Sequence, residues 1–320
     1  MLASLYRMVG RKQESAIAAQ HVAKLATLAT EVVTARSMLA DGNLREAEDL
    51  IRGYLRRKPD DIEALRVLAL VAYQNEFSKD AATLLEAVLA AEPDYRPARH
   101  DYVLALIALH RHKQAHEQIA ILIAAEPDNL VYQTTLASIL LGEGSTEAAI
   151  DLYGELLRQR SDDPELHLSL GHALKTQGSR DEAERAYREA ARQRPNFGDA
   201  YWSLANLKTF SFTDEQLATM REQVDAQRTP FVDRYHLCFA LGNALEDRSE
   251  YAESFQFYAR GNALKKEECR YQPELLERTI DRQVELCTRG FFERRQGYGC
   301  RHPSPFFIVG LLRSGSTLLE

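Results

Sequence analysis

One alanine returns every 34 residues: Ala47, Ala81, Ala115, Ala149 and Ala183. A fixed pattern surrounds each. Four residues later stand Ile51, Leu85, Ile119, Tyr153 and Tyr187, all large and apolar or aromatic. Seven residues later come Tyr54, Val88, Leu122, Leu156 and Ala190; twelve residues later come Pro59, Pro93, Pro127, Ser161 and Pro195. Offsets of 0, +4 and +7 share one face of an α-helix. Proline has no N–H and crowds the preceding turn, so it ends a helix. The alanine is small where this second helix of a pair approaches the first. The first helix has its own stripe, as in Leu68, Ala69 and Ala72, or Leu170, Gly171 and Leu174. One such pair cannot bury its apolar face alone, so the copies must stack. Residues 28–197 are therefore expected to form an all-α solenoid of five helix–turn–helix units.

Local signals extend this reading. Asn43-Leu-Arg-Glu46 and Ser179-Arg-Asp-Glu182 have the capping-box form before a second helix. Asp41-Gly42-Asn43 and Gln177-Gly178-Ser179 supply turns between paired helices. Ala200–Leu207 reads as a sixth first helix whose usual partner is replaced by a segment opening at Thr213-Asp-Glu-Gln216, another capping box. Tyr235–Leu245 and Tyr251–Ala259 read as one more hairpin, a degenerate repeat, and residues 273–296 as a further helix with Pro273 at its first position. Residues 1–28 are expected to form an amphipathic capping helix, and 198–302 a linker of degenerate hairpins and helix.

The totals narrow the function classes. A net charge of −7 argues against general affinity for nucleic acid or anionic membrane, so neither is expected as a partner. Cys238, Cys269, Cys287 and Cys300 form no Cys-x-x-Cys pair, which fits neither a disulfide framework nor a zinc site. A reducing, cytoplasmic setting follows as the expectation. No stretch approaches 18 uninterrupted apolar residues. His110, His112 and His116 fall at a turn and helix start with no carboxylate or cysteine at ligand spacing, so no metal is expected there.

The phased pattern resembles the tetratricopeptide repeat (TPR) family, whose consensus places Trp-x2-Leu-Gly-x2-Tyr, then Ala-x3-Phe, then Pro in a 34-residue period. The first unit departs most, with Thr34-Ala35 in place of Leu-Gly. The resemblance implies a right-handed superhelix with a concave groove. In the family, positions 2, 5, 9 and 12 of the first helices face that groove. Here they include Glu63, Arg66, Tyr73, His100, Thr134, Ser138, Leu168, His172, Lys175, Trp202 and Asn206. This mixture of polar and aromatic residues suits a peptide or protein partner. An inert spacer or a homo-oligomer surface is the plainer use of the same face.

The period changes at Phe306. Phe306-Phe-Ile-Val309 is a short apolar run of strand formers, followed by Gly310-Leu-Leu-Arg313-Ser314-Gly315-Ser316-Thr317 and the helix-like start Leu318-Leu319-Glu320. Strand, glycine-bounded loop and helix make the layout of a phosphate cradle. The spacing nearly matches a P-loop, but Ser316 stands where an ATPase or GTPase needs lysine. The segment resembles the 5′-phosphosulfate loop of sulfotransferases. Joined to the repeats, it looks like the bacterial tetratricopeptide-repeat sulfotransferases, although Leu312 replaces their usual loop proline.

That resemblance implies 3′-phosphoadenosine-5′-phosphosulfate (PAPS) as co-substrate, with no metal. Backbone N–H groups of Ser314, Gly315, Ser316 and Thr317, with the Ser316 and Thr317 hydroxyls, would hold the phosphosulfate. Arg313 would offset charge on the bridging oxygen during in-line transfer. Residues 303–320 are then the start of a truncated α/β domain needing on the order of 200 further residues. The general base would lie beyond residue 320, and these 320 residues alone are expected to be inactive. The alternative is an interaction scaffold without catalysis.

Overall fold

The structure, a computed structural model, describes residues 27–207, 209–269 and 273–298. The capping helix expected over residues 1–28 falls almost wholly outside them. So do Phe306–Val309 and the loop with Arg313, Ser314, Gly315, Ser316 and Thr317. Two compact units divide the chain, Met1–Asn262 and Ala263–Glu320.

In the first unit the helices run as α1 (Thr30–Ala40) with α2 (Leu44–Leu55), α3 (Ile62–Gln74) with α4 (Ser78–Ala91), and α5 (Arg96–Ala108) with α6 (His112–Ala125). Then follow α7 (Leu130–Gly142) with α8 (Thr146–Gln159), and α9 (Pro164–Gln177) with α10 (Arg180–Gln193). Each helix packs on its pair-mate, and each second helix also packs on the next first helix. This is the all-α solenoid of stacked helix–turn–helix pairs. Among the described residues there is no β-strand, and no helix is long and apolar enough to cross a membrane.

The five periodic alanines are fully covered. The large residue four positions later is matched by one sixteen residues earlier on the first helix, which is alanine or glycine except at Val103. Ala35 shares a buried cluster with Ile51, Ala69 with Leu85, Val103 with Ile119, and Ala137 with Tyr153. A Cβ added at Gly171 would overlap the Tyr187 ring. Volumes are thus traded across the joint, as a close-packed interior requires. Each large side chain so buried contributes roughly 1.5–3 kcal/mol. The helix-ending prolines are reinforcement rather than the sole cause. Helices α4, α6 and α10 end two residues before Pro93, Pro127 and Pro195, and α8 ends equally far before Ser161.

The capping boxes expected at Asn43 and Ser179 do not form. Both N-caps lack a side-chain bond, with ψ of 63° and 70°. Thr213 has ψ 163° and makes the complete box with Gln216. Asn43 and Ser179 are instead committed to tight turns closed by backbone bonds, Asn43 N to Met38 O at 2.8 Å and Ser179 N to Leu174 O at 2.9 Å. These follow left-handed Gly42 and Gly178, an arrangement that terminates one helix while starting the next. Side-chain caps sit on the first helices, where Asp61, Asn129 and Asp163 accept from backbone N–H groups.

Past α10 the phase breaks. Helices α11 (Gly198–Ala205), α12 (Asp214–Asp225), α13 (Phe231–Asp247) and α14 (Tyr251–Cys269) follow. Both α11 and α12 pack against α13. The Asp233 carboxylate accepts from Gly198 N at 2.9 Å and Arg194 Nη2 at 2.8 Å. Gly198 lies so near the Asp233 backbone that a Cβ would collide with it. The hairpin α13–α14 repeats the array's joint: Ser254, Tyr258 and Gly261 take the 0, +4 and +7 places, and Tyr258 covers Gly242.

In the second unit the helix expected over 273–296 is two helices, α15 (Pro273–Leu286) and α16 (Arg289–Glu293). Extended Thr288 separates them by capping the second, its Oγ1 accepting from Phe291 N at 3.2 Å.

Candidate interaction face

The first helices place their face residues in register, and the first consequence is internal pairing. Arg36 Nη1 on α1 donates to Glu63 Oε1 on α3 at 2.6 Å. Arg66 Nε donates to Asp101 Oδ2 on α5 at 2.5 Å, and the Tyr95 hydroxyl donates to Glu63. The Arg66 and Asp101 side chains are only 14% and 11% exposed. Burial opposes the Arg66 cation, but the charge and hydrogen bond of Asp101 more than offset it, so its pKa rises. Burial and the bond to Glu63 push the Tyr95 phenol up to about 12, which keeps it a donor.

His100 continues the row. Its Nε2 lies 3.1 Å from Thr135 Oγ1, whose own proton goes to Val131 O at 2.8 Å. The hydroxyl must therefore accept, which places a proton on His100 Nε2. Burial lowers the His100 pKa and favours its neutral form. On α9, His172 Nδ1 lies 3.0 Å from the Tyr187 hydroxyl, and burial lowers its pKa too.

The structure therefore divides the expected groove residues. Glu63, Arg66, His100 and His172 are held by other residues of the array, and Leu168 is buried. Ser138, Lys175 and Asn206 are exposed, with Tyr73, Thr134 and Trp202 partly so. The Trp202 ring lies 5.6 Å from that of Phe239. Sequence reasoning missed Arg36, Tyr95, Asp101 and Thr135. A signal existed: Arg66 and Asp101, like His100 and Thr135, are complementary residues 35 positions apart, one period plus one.

Between α5, α7 and α9 the face opens into a cavity of about 380 Å³. Leu104, Leu130, Val131 and Leu166 give it apolar lining; His100, Thr134 and Thr135 also line it, as do Arg160 and Asp163. Arg160 Nη2 pairs with Asp163 Oδ2 at 3.0 Å, and Asp163 Oδ1 caps Leu166 N at 3.1 Å.

The histidine cluster takes structural roles. His116 Nδ1 faces Glu143 Oε2 at 3.0 Å, and the His112 ring lies against Gly142. No group of three metal-ligating side chains occurs among the described residues. Cys238 is buried, which pushes its thiol up to about 11, and Cys287 is exposed and free.

Comparison with known proteins agrees on the repeats. Family models described as tetratricopeptide repeat match residues 33–95, 78–139 and 140–207. An uncharacterized protein of Aquifex aeolicus (strain VF5) is 34% identical over 116 residues, 36% of this chain. The match spans about 15% of that relative's length. Among solved structures, a thermophilic TPR protein of Thermus thermophilus is 21% identical with a TM-score of 0.49, covering 56% of this chain and 98% of that one. MamA (41-end) from Desulfovibrio magneticus RS-1 is 17% identical with a TM-score of 0.45, covering 53% and 98%. YrrB, described as a TPR protein with an unusual peptide-binding site, is 16% identical with a TM-score of 0.42, covering 53% and 88%.

Proposed function

We propose that this chain, whose residues 33–207 are tetratricopeptide repeats, is an interaction scaffold that holds a peptide or protein along its first helices. One observation carries the reading. Once internal pairing is accounted for, Ser138 and Lys175 are still exposed and Thr134 partly so, and the cavity opens among the same helices. Stacked repeats make extended surfaces of this kind. Hydrogen exchange of the full chain with a selected peptide tests it. Protection confined to α5, α7, α9 and α11 is expected; protection confined to the second helices would overturn the assignment.

A second reading rests on sequence. The segment Phe306–Thr317 favours a PAPS-dependent sulfotransferase for a longer protein containing this chain, with the repeats docking the acceptor or a partner. Arg313, Ser314, Gly315, Ser316 and Thr317 are its phosphosulfate-binding residues, and the cysteine usage fits a cytoplasmic setting. Calorimetry of that longer protein with adenosine 3′,5′-bisphosphate is expected to show binding. Arg313→Ala should abolish sulfation at unchanged helical content, and retained turnover would remove Arg313 from its role.

A further inference from the structure

We infer that the cavity between α5, α7 and α9 is an anchor pocket for one aliphatic side chain of a bound peptide, next to a peptide carboxylate that pairs with Arg160. The inference deepens the scaffold reading and rests on it.

The lining sets the first requirement. A volume of about 380 Å³ lies at the small end of the range for ligand clefts, enough for a side chain and part of its backbone. Val131 is 58% exposed, an apolar β-branched side chain turned outward beside the opening. Two polar groups of the lining, His100 and Thr135, satisfy each other. The Thr135 proton goes to Val131 O, its oxygen accepts from His100 Nε2, and buried His100 favours the neutral form. Little hydrogen-bonding demand is left there, so an apolar side chain entering it strands few polar groups.

The rim sets the second requirement. Asp163 is occupied by the Leu166 N–H and by Arg160, and its side chain is 12% exposed. The Arg160 side chain is 53% exposed, and only its Nη2 is engaged with Asp163. Asp163 thus pairs with one end of a guanidinium that is otherwise half exposed. An exposed planar guanidinium is suited to a carboxylate. The occupant that satisfies both requirements is a peptide with Leu, Ile or Met beside Asp, Glu or its own C-terminus.

The test uses the full chain and a positional-scanning library of fluorescent hexapeptides, each made with a free or an amidated C-terminus. Selection of an aliphatic residue next to an acidic one is expected. If only the free-carboxylate series is selected, the chain terminus is the anion. Val131→Arg, at an exposed site, should weaken the best peptide at least about tenfold. Arg160→Gln should cost about tenfold for the acidic peptide and nothing for its Glu→Gln counterpart, the scale of a charge-assisted hydrogen bond. Circular dichroism confirms that both variants fold. Binding that survives Val131→Arg but fails in Lys175→Glu would overturn the pocket and leave the scaffold standing. Acid preference unchanged in Arg160→Gln would overturn the carboxylate partner. A library with no binder would overturn both readings.

Discussion

Tyr187 over Gly171 and Tyr258 over Gly242 are one joint built in two settings. In each the glycine precedes the tyrosine by sixteen residues, and a Cβ on it would run into the ring. The surroundings differ. Inside the phased array Tyr187 is fully covered, with its hydroxyl 3.0 Å from His172 Nδ1, and Ala183 is fully covered in the close-approach position. In the displaced hairpin Tyr258 is half-buried, its hydroxyl donates to Glu246 at 2.9 Å, and Ser254 occupies the alanine position. The Ser254 hydroxyl donates to Gly242 O at 2.7 Å. Tyr258 follows Tyr187 by 71 residues, two periods plus three. A unit in phase is held by the units stacked on both sides of it, and the contact of Tyr187 with His172 adds to that packing. A unit shifted by three residues relies on directed bonds, at Asp233 where α13 begins and at Ser254 where α14 crosses it.

The largest expected effect breaks that comparison directly. Tyr187→Ala opens a cavity against Gly171 and should cost about 4 kcal/mol, the range for deleting a buried aromatic. Tyr258→Ala, whose ring is already half in solvent, should cost about 1–2 kcal/mol on the same argument. Urea denaturation of both variants measures the difference, and equal costs would show that the two joints are equivalent. Next in size is Asp233→Ala, which removes the acceptor of the Gly198 N–H and the partner of Arg194. A loss of about 3 kcal/mol is expected for a pair this covered. Glu165→Ala removes the exposed partner of the same arginine and should change stability by under about 0.5 kcal/mol. Ser254→Ala restores the array's alanine but leaves Gly242 O without its second bond; a loss of about 1 kcal/mol is expected. A neutral result would mean that packing positions the displaced hairpin as well.

The array was legible because its signal is local and repeated. A helix face at 0, +4 and +7, with proline beyond it, needs no knowledge of tertiary neighbours. What depends on neighbours was not. Glu63 and Arg66 occupy groove positions by the family pattern, yet Arg36 and Asp101, on the helices to either side, claim them; only the register between units shows this. Asn43 and Ser179 carry capping-box residues, but the preceding glycine turn fixes a ψ that keeps their side chains from the helix N–H groups. Ser254 escaped a search for periodic alanines because it is neither an alanine nor in phase. The cavity draws on Leu104, Leu130 and Leu166, three residues from three units, and no single segment announces it. The pair at its rim, Arg160 and Asp163, is three residues apart and was readable, although without the cavity it carries no meaning.

A further small effect sharpens the comparison from the other side, because it concerns geometry that both regions share. Gly42, Gly144 and Gly178 turn between paired helices with φ of 77°, 86° and 96°. The corresponding turns of the second and third units use Glu76 at 65° and His110 at 56°, and the displaced hairpin uses Ser249 at 64°. A left-handed L-residue costs roughly 1–2 kcal/mol, while glycine gives back about 0.5–1 kcal/mol through its freer unfolded chain. Glu76→Gly and His110→Gly should therefore each stabilise by about 0.5 kcal/mol, and Gly144→Ala should destabilise by about 1 kcal/mol. A Cβ at Gly144 meets nothing within 4 Å, so backbone strain alone is tested there. Ser249→Gly should match Glu76→Gly in size. The turn is a local device, and a shift of three residues in the stack should not alter its energy. If Ser249→Gly stabilises far more than Glu76→Gly, as read from thermal midpoints, then the displaced hairpin is strained in its turn as well as pinned at its joint.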